Sequence, residues 1–131
     1  MTHASTAAAG FIIDATAIAQ ARSNIFLQTL IRTNLAQDRR IVIPTTALLQ
    51  AASTGRITAR ELNHRGITIV ALTEAIIDDI GAIMLSATTS VDQHIAHAAY
   101  KSRETGFYPI VTADPWAYSS LPFPLDLEPL P

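Results

Sequence analysis

Apolar residues form two kinds of pattern along this chain. In four places they run consecutively over strand length and are rich in β-branched side chains: Gly10 to Asp14, Arg40 to Pro44, Ile67 to Ala71 and Pro109 to Thr112. A weaker fifth run lies near Leu125 to Leu127. The first two runs do not alternate apolar with polar, as expected of strands covered on both faces in a parallel sheet. Between the runs lie helical patterns, over Ala15 to Gln37, Thr46 to Ser53, Ala59 to His64, Glu74 to Ala87 and Val91 to Arg103. Gly66 and Gly106 close helices, and Pro44 and Pro115 punctuate strand-to-helix turns. Regular alternation of strand and helix predicts an α/β fold: a doubly wound, mainly parallel sheet of about five strands with helices on both faces. The proline-rich end, Pro122 to Pro131, reads as a loose edge strand or tail.

Composition narrows this picture. A chain of 131 residues, 49% hydrophobic, suits a single domain with a sizeable core. Nine basic and eleven acidic residues argue against indiscriminate nucleic-acid binding but leave room for a local basic patch. The absence of cysteine excludes disulfides and thiolate metal sites and makes the cytoplasm the expected location. Met1 to Ala21 is Ala-rich like a signal peptide, but it lacks a basic start and Asp14 interrupts its apolar run. No apolar stretch approaches the roughly 18 residues of a membrane span, so no membrane association is expected.

Ligands of open α/β sheets bind beyond the carboxyl ends of the strands. Asp14 ends the first strand and Asp114 follows the fourth almost directly. If those strands are neighbours where strand order reverses, the two carboxylates share a crevice, and a divalent cation would relieve their repulsion. Each also suits a simple helix N-cap. Asp92 falls in the first turn of the last helix, where Ser90 and Gln93 form a capping-box pattern. It also borders the apolar stripe of Val91, Ile95, Ala98 and Ala99, and a carboxylate beside a buried face needs a partner. A metal ion shared by Asp14, Asp92 and Asp114 is therefore the leading expectation.

With these landmarks in order, the chain resembles the PIN-domain family, particularly the small VapC-type toxins of toxin-antitoxin pairs. Phe11-Ile12-Ile13-Asp14-Ala15-Thr16 is similar to that family's opening strand and first catalytic aspartate. Ile41 to Gln50 resembles the second strand, proline and following helix. Val91-Asp92-Gln93-His94 resembles the segment with another metal-binding aspartate, and Val111-Thr112-Ala113-Asp114 the Thr-x-Asp that ends the fourth strand. The resemblance covers nearly the whole chain. It implies a ribonuclease using Mg2+, or Mn2+, to hydrolyse RNA, with a cognate antitoxin protein and a homodimer. Asp14, Asp92 and Asp114 would be catalytic metal-binding residues, with Thr16, Gln50 and Thr112 supporting them. One departure matters: Gln50 stands where the family usually has glutamate, which removes a full negative charge. The alternative is a weak or inactive PIN-like binding module.

Other side chains have two readings each. Arg56, Arg60 and His64 are spaced by four, with Arg65 beside them, and would line one helix face toward RNA phosphates or a partner, or simply form a solvated face. His94 and His97 share a helix face with Lys101; zinc lacks a third ligand there, so an exposed polar face is expected. Ile76, Ile77, Ile80, Ile83, Met84 and Leu85 cover more of a helix than one stripe needs, which suits either a dimer face or a deeply buried helix. Tyr100, Trp116 and Tyr118 suit an interface or rim packing. A phosphoacceptor receiver domain ranks low, because no acidic pair follows the first strand and Lys101 lies within a helix. A dinucleotide-binding domain fails for want of a glycine-rich phosphate loop.

Overall fold

The computed structural model describes residues 9–131; the first eight residues of the leader-like stretch lie outside the described residues. Five strands, β1 (Gly10–Ile13), β2 (Arg40–Pro44), β3 (Ile67–Val70), β4 (Ile110–Thr112) and β5 (Leu127–Pro129), pair in the order β3-β2-β1-β4-β5. Every pairing is parallel. The chain builds outward from β1 to β3, then returns to add β4 and β5 on the other side. Strand order therefore reverses between β1 and β4, the topological switch point of a doubly wound sheet.

The helices are α1 (Ala15–Ile18), α2 (Ile25–Ala36), α3 (Thr45–Ala52), α4 (Glu74–Ser86) and α5 (Gln93–Glu104), with 3-10 turns at Ala59–Leu62 and Pro115–Tyr118. Because successive strand side chains point to opposite faces, Phe11, Ile13, Ile41, Ile43 and Val111 pack with α1, α2 and α3, for example against Ile18, Leu27 and Leu48. Ile12, Val42 and Ile110 pack the opposite way, with Ile80 and Ile83 of α4 and Ile95 of α5. Both faces are covered, which accounts for the non-alternating strands. Each fully buried isoleucine contributes about 1.5–3 kcal/mol relative to exposure, so an Ile12→Ala change removes a central contact of one layer.

Several boundaries differ from the pattern-based expectation. The single helix expected over Ala15 to Gln37 is two helices. The carbonyl of Gln20 accepts from the Ser23 and Asn24 N–H groups (3.0 and 2.8 Å), and Asn24 Oδ1 then accepts from Leu27 N–H (2.9 Å), capping a new helix. The fifth strand sits at Leu127–Pro129, two residues later than expected. Asp92 is the N-cap residue of α5 and lies before its first turn; its side chain makes no cap bond, and helix formation begins at Gln93. The Ala59 to His64 helix shrinks to one 3-10 turn, where Glu61 accepts from both the N–H and the hydroxyl of Thr58 (2.8 and 2.9 Å). Arg22 grips that carboxylate with two bonds of 2.7 and 2.6 Å and holds its pKa down at about 2. No helix among the described residues is long and apolar enough to cross a membrane.

Candidate functional site

A crevice of about 500 Å3 opens above the carboxyl ends of β1 and β4, and Asp92, Asp114, Gln50, Arg56, His94 and Thr16 line it. Short strand-to-helix junctions deliver most of these side chains. Asp14 alone separates β1 from α1, which puts Thr16 over the strand end; Pro44 ends β2 and caps α3, which carries Gln50 in its second turn. Pro115, at the start of its 3-10 turn, follows Asp114 immediately.

Beneath the crevice lies a closed hydrogen-bond chain. Asp14 is 0% exposed. Its Oδ1 accepts from the Thr16 hydroxyl (2.7 Å) and the Ala17 N–H (3.1 Å), and its Oδ2 from the Tyr118 hydroxyl (2.8 Å). Thr16 spends its one hydrogen on Asp14, so at the 3.2 Å contact with Thr112 it is Thr112 that donates. Thr16 Oγ1 also accepts from Ala113 N–H (2.9 Å), and Thr112 Oγ1 from Asp114 N–H (3.0 Å). Burial, followed by the negative charge of Asp14, its hydrogen bond and the charge of Asp114, pushes the Tyr118 phenol well above its ordinary pKa. It stays protonated and stays a donor.

The three aspartates therefore occupy two levels. Asp92, whose side chain is 82% exposed, and Asp114 face the crevice. Asp14 lies under it and does not line it. The helix-cap reading applies to Asp14, which caps α1, while the side chains of Asp92 and Asp114 make no cap bond. Thr16 and Thr112 are the hinge pins between β1 and the Asp114 turn.

The arginine expectation changes. Arg56 reaches the crevice, but no helix face aligns it with Arg60 and His64, because regular structure there spans only Ala59–Leu62. Arg60 and Arg65 are exposed outside the crevice, and His64 lines a separate groove with Arg22 and Arg32. The two histidines also part company. His94 Nε2 is 3.5 Å from Asp92 Oδ2 at the crevice. His97 is fully buried, not on an exposed polar face, and its Nδ1 is 2.8 Å from Thr46 Oγ1 of α3. Helix α5 is covered by α3, α4 and the sheet together, which dries the stripe at His97, while His94 and Lys101 at either end of it stay partly exposed. Burial first, then the nearby Lys101, lowers the His97 pKa to about 4.

Among the described residues, no three His, Asp or Glu side chains lie close enough together to hold a metal ion between them. A magnesium site does not need such a cage: one or two carboxylates, water and substrate phosphates suffice. Asp92, Asp114 and the amide of Gln50 line the same crevice and bring oxygen donors, the ligand type that suits Mg2+ or Mn2+, with the nitrogen donor His94 beside them. Sequence reasoning missed Tyr118 as a partner of Asp14. Its spacing of four residues after Asp114 was visible, but nothing in the pattern showed which way the ring would turn. No protein-family model and no curated protein matches the chain.

Proposed function

We propose that this chain is a PIN-like, Mg2+- or Mn2+-dependent endoribonuclease. The cognate antitoxin, homodimer and cytoplasmic setting implied by the resemblance belong to the same reading. The observation that carries it is the placement of Asp92 and Asp114 on one crevice over the β1/β4 switch point. Asp92 and Asp114 would hold the cation, which when bound acidifies water for attack on phosphorus and neutralises charge growing on the phosphate. Arg56, on the same crevice, meets a substrate phosphate. His94 Nε2 stands 3.5 Å from the Asp92 carboxylate, close enough to share a ligand with it. Thr16 and Thr112 set the height of Asp114 through its backbone N–H.

One observation favours a second reading, a weak or inactive interaction module. Gln50 supplies no charge, and Asp14 is already engaged by three donors. Metal titration with an RNA-cleavage assay on wild type, Gln50→Glu and Asp114→Asn separates the two. The nuclease loses cleavage in Asp114→Asn, whose carboxylate faces the crevice, and Gln50→Glu binds Mg2+ more tightly and cleaves at least as fast. A wild type inert with every metal, with activity gained in Gln50→Glu, establishes the second reading. If neither protein binds metal or cleaves, the site assignment is wrong.

A further inference from the structure

A second, smaller cleft of about 230 Å3 abuts the crevice and shares Asp92, Ile95 and Ala117 with it. Trp116 lines it, the single tryptophan of the chain, 81% exposed and two residues after Asp114. Hydroxyl side chains, among them Thr89, Ser90 and Ser119, line the rest. We propose that this cleft is a nucleobase-binding subsite in which Trp116 stacks on an unpaired base of single-stranded RNA, next to the phosphate held in the carboxylate crevice. This rests on the nucleic-acid reading above and adds a base contact to it.

Three observations carry it. The ring is held on a rigid support: Tyr118, in the same 3-10 turn, is buried and bonded to Asp14, and the turn is closed by Ala117 N–H to Asp114 O (3.1 Å) and Ser119 N–H to Trp116 O (3.0 Å). A firmly held backbone leaves only the side-chain torsions of Trp116 to be ordered on binding. The surroundings beside the ring are polar, with Thr89, Ser90, Ser119 and Ser120 on the same cleft. Hydroxyls both donate and accept, as the edge of any base requires. Finally, a base can stack only if it is unpaired, and stacking on an aromatic ring tolerates all four bases. The subsite therefore selects single strands over duplexes without reading a sequence.

The lone tryptophan gives a direct readout of binding, independent of turnover. The probe is a short 2′-O-methyl RNA of mixed sequence, compared in Mg2+ with an abasic strand of equal length and with a duplex. The single strand should quench Trp116 fluorescence, and the abasic strand and duplex should not. By anisotropy of a labelled strand, Trp116→Ala should bind about tenfold more weakly, while Trp116→Phe stays close to wild type, as base stacking predicts. Equal affinity for the abasic strand, or for Trp116→Ala, overturns the subsite and leaves the nuclease reading standing. If no RNA binds at all, both fall. A wild type that self-associates in sedimentation and a Trp116→Ala variant that does not would make the ring a protein contact and overturn the subsite.

Discussion

The floor and the rim of the crevice are built on opposite plans. On the floor, Asp14, Thr16, Thr112 and Tyr118 are joined in one hydrogen-bond chain, and Asp14 has no exposed surface. On the rim, Gln50, Asp92, Asp114 and Trp116 are exposed. Buried polar groups are costly unless paired, so the floor is where this fold invests its specificity and the rim is where it is free to do chemistry. Stability and activity should consequently respond to different residues.

The sharpest break comes from the floor. Asp14→Ala orphans two buried donors, the Ala17 N–H and the Tyr118 hydroxyl, and the half-buried Thr16 hydroxyl, and an orphaned buried donor costs about 1–3 kcal/mol, so urea unfolding should show a loss of about 3 kcal/mol or more. A smaller loss would mean that water replaces the carboxylate. Next is the wall between α3 and α5. The His97 pKa falls from 6.5 to about 4 on folding, so between those values the unfolded chain binds more protons than the folded one. The stabilisation is complete above pH 6.5 and drains away as pH drops toward 4, by on the order of 3 kcal/mol. His97→Gln should flatten that part of the stability-pH curve. Tyr118→Phe removes one hydrogen bond to a carboxylate and should cost about 2 kcal/mol, less than Asp14→Ala because Thr16 and Ala17 still donate. The smallest stability effect belongs to the rim: Asp114→Asn should change unfolding by no more than about 0.5 kcal/mol, yet weaken Mn2+ binding in calorimetry and slow RNA cleavage. A rim variant that unfolds the protein, or a floor variant that leaves it untouched, would erase the distinction.

The same division explains what the sequence made legible. Strand cores such as Phe11 to Ile13 and Ile41 to Ile43 were plain from consecutive β-branched residues, and the adjacency of β1 and β4 follows from ordinary winding. Asp14 and Asp114 could be placed because strand ends fix them. Depth was not legible. Nothing in Asp14 or Asp114 taken alone says that one is sealed and the other open; that depends on where Tyr118 folds. His97 was misread for a similar reason, since helical spacing to Lys101 suggests a wet stripe and only the packing of α3 against α5 dries it. The break near Asn24 had a legible signal, Ser23-Asn24 before an apolar run, but no glycine or proline marked it. The arginine spacing failed because periodicity has no meaning where the chain is not helical.

The junctions that end β1 and β2 have a consequence for kinetics. One residue, Asp14, connects β1 to α1, and β2 passes into α3 with none between. Lids swing on a few loop residues that absorb large dihedral changes, and this wall has none to offer. Under the nuclease reading, a strand arriving on this side of the crevice meets a finished surface, so any slow gating phase in stopped-flow traces should come from the connections that carry Arg56 and Asp92.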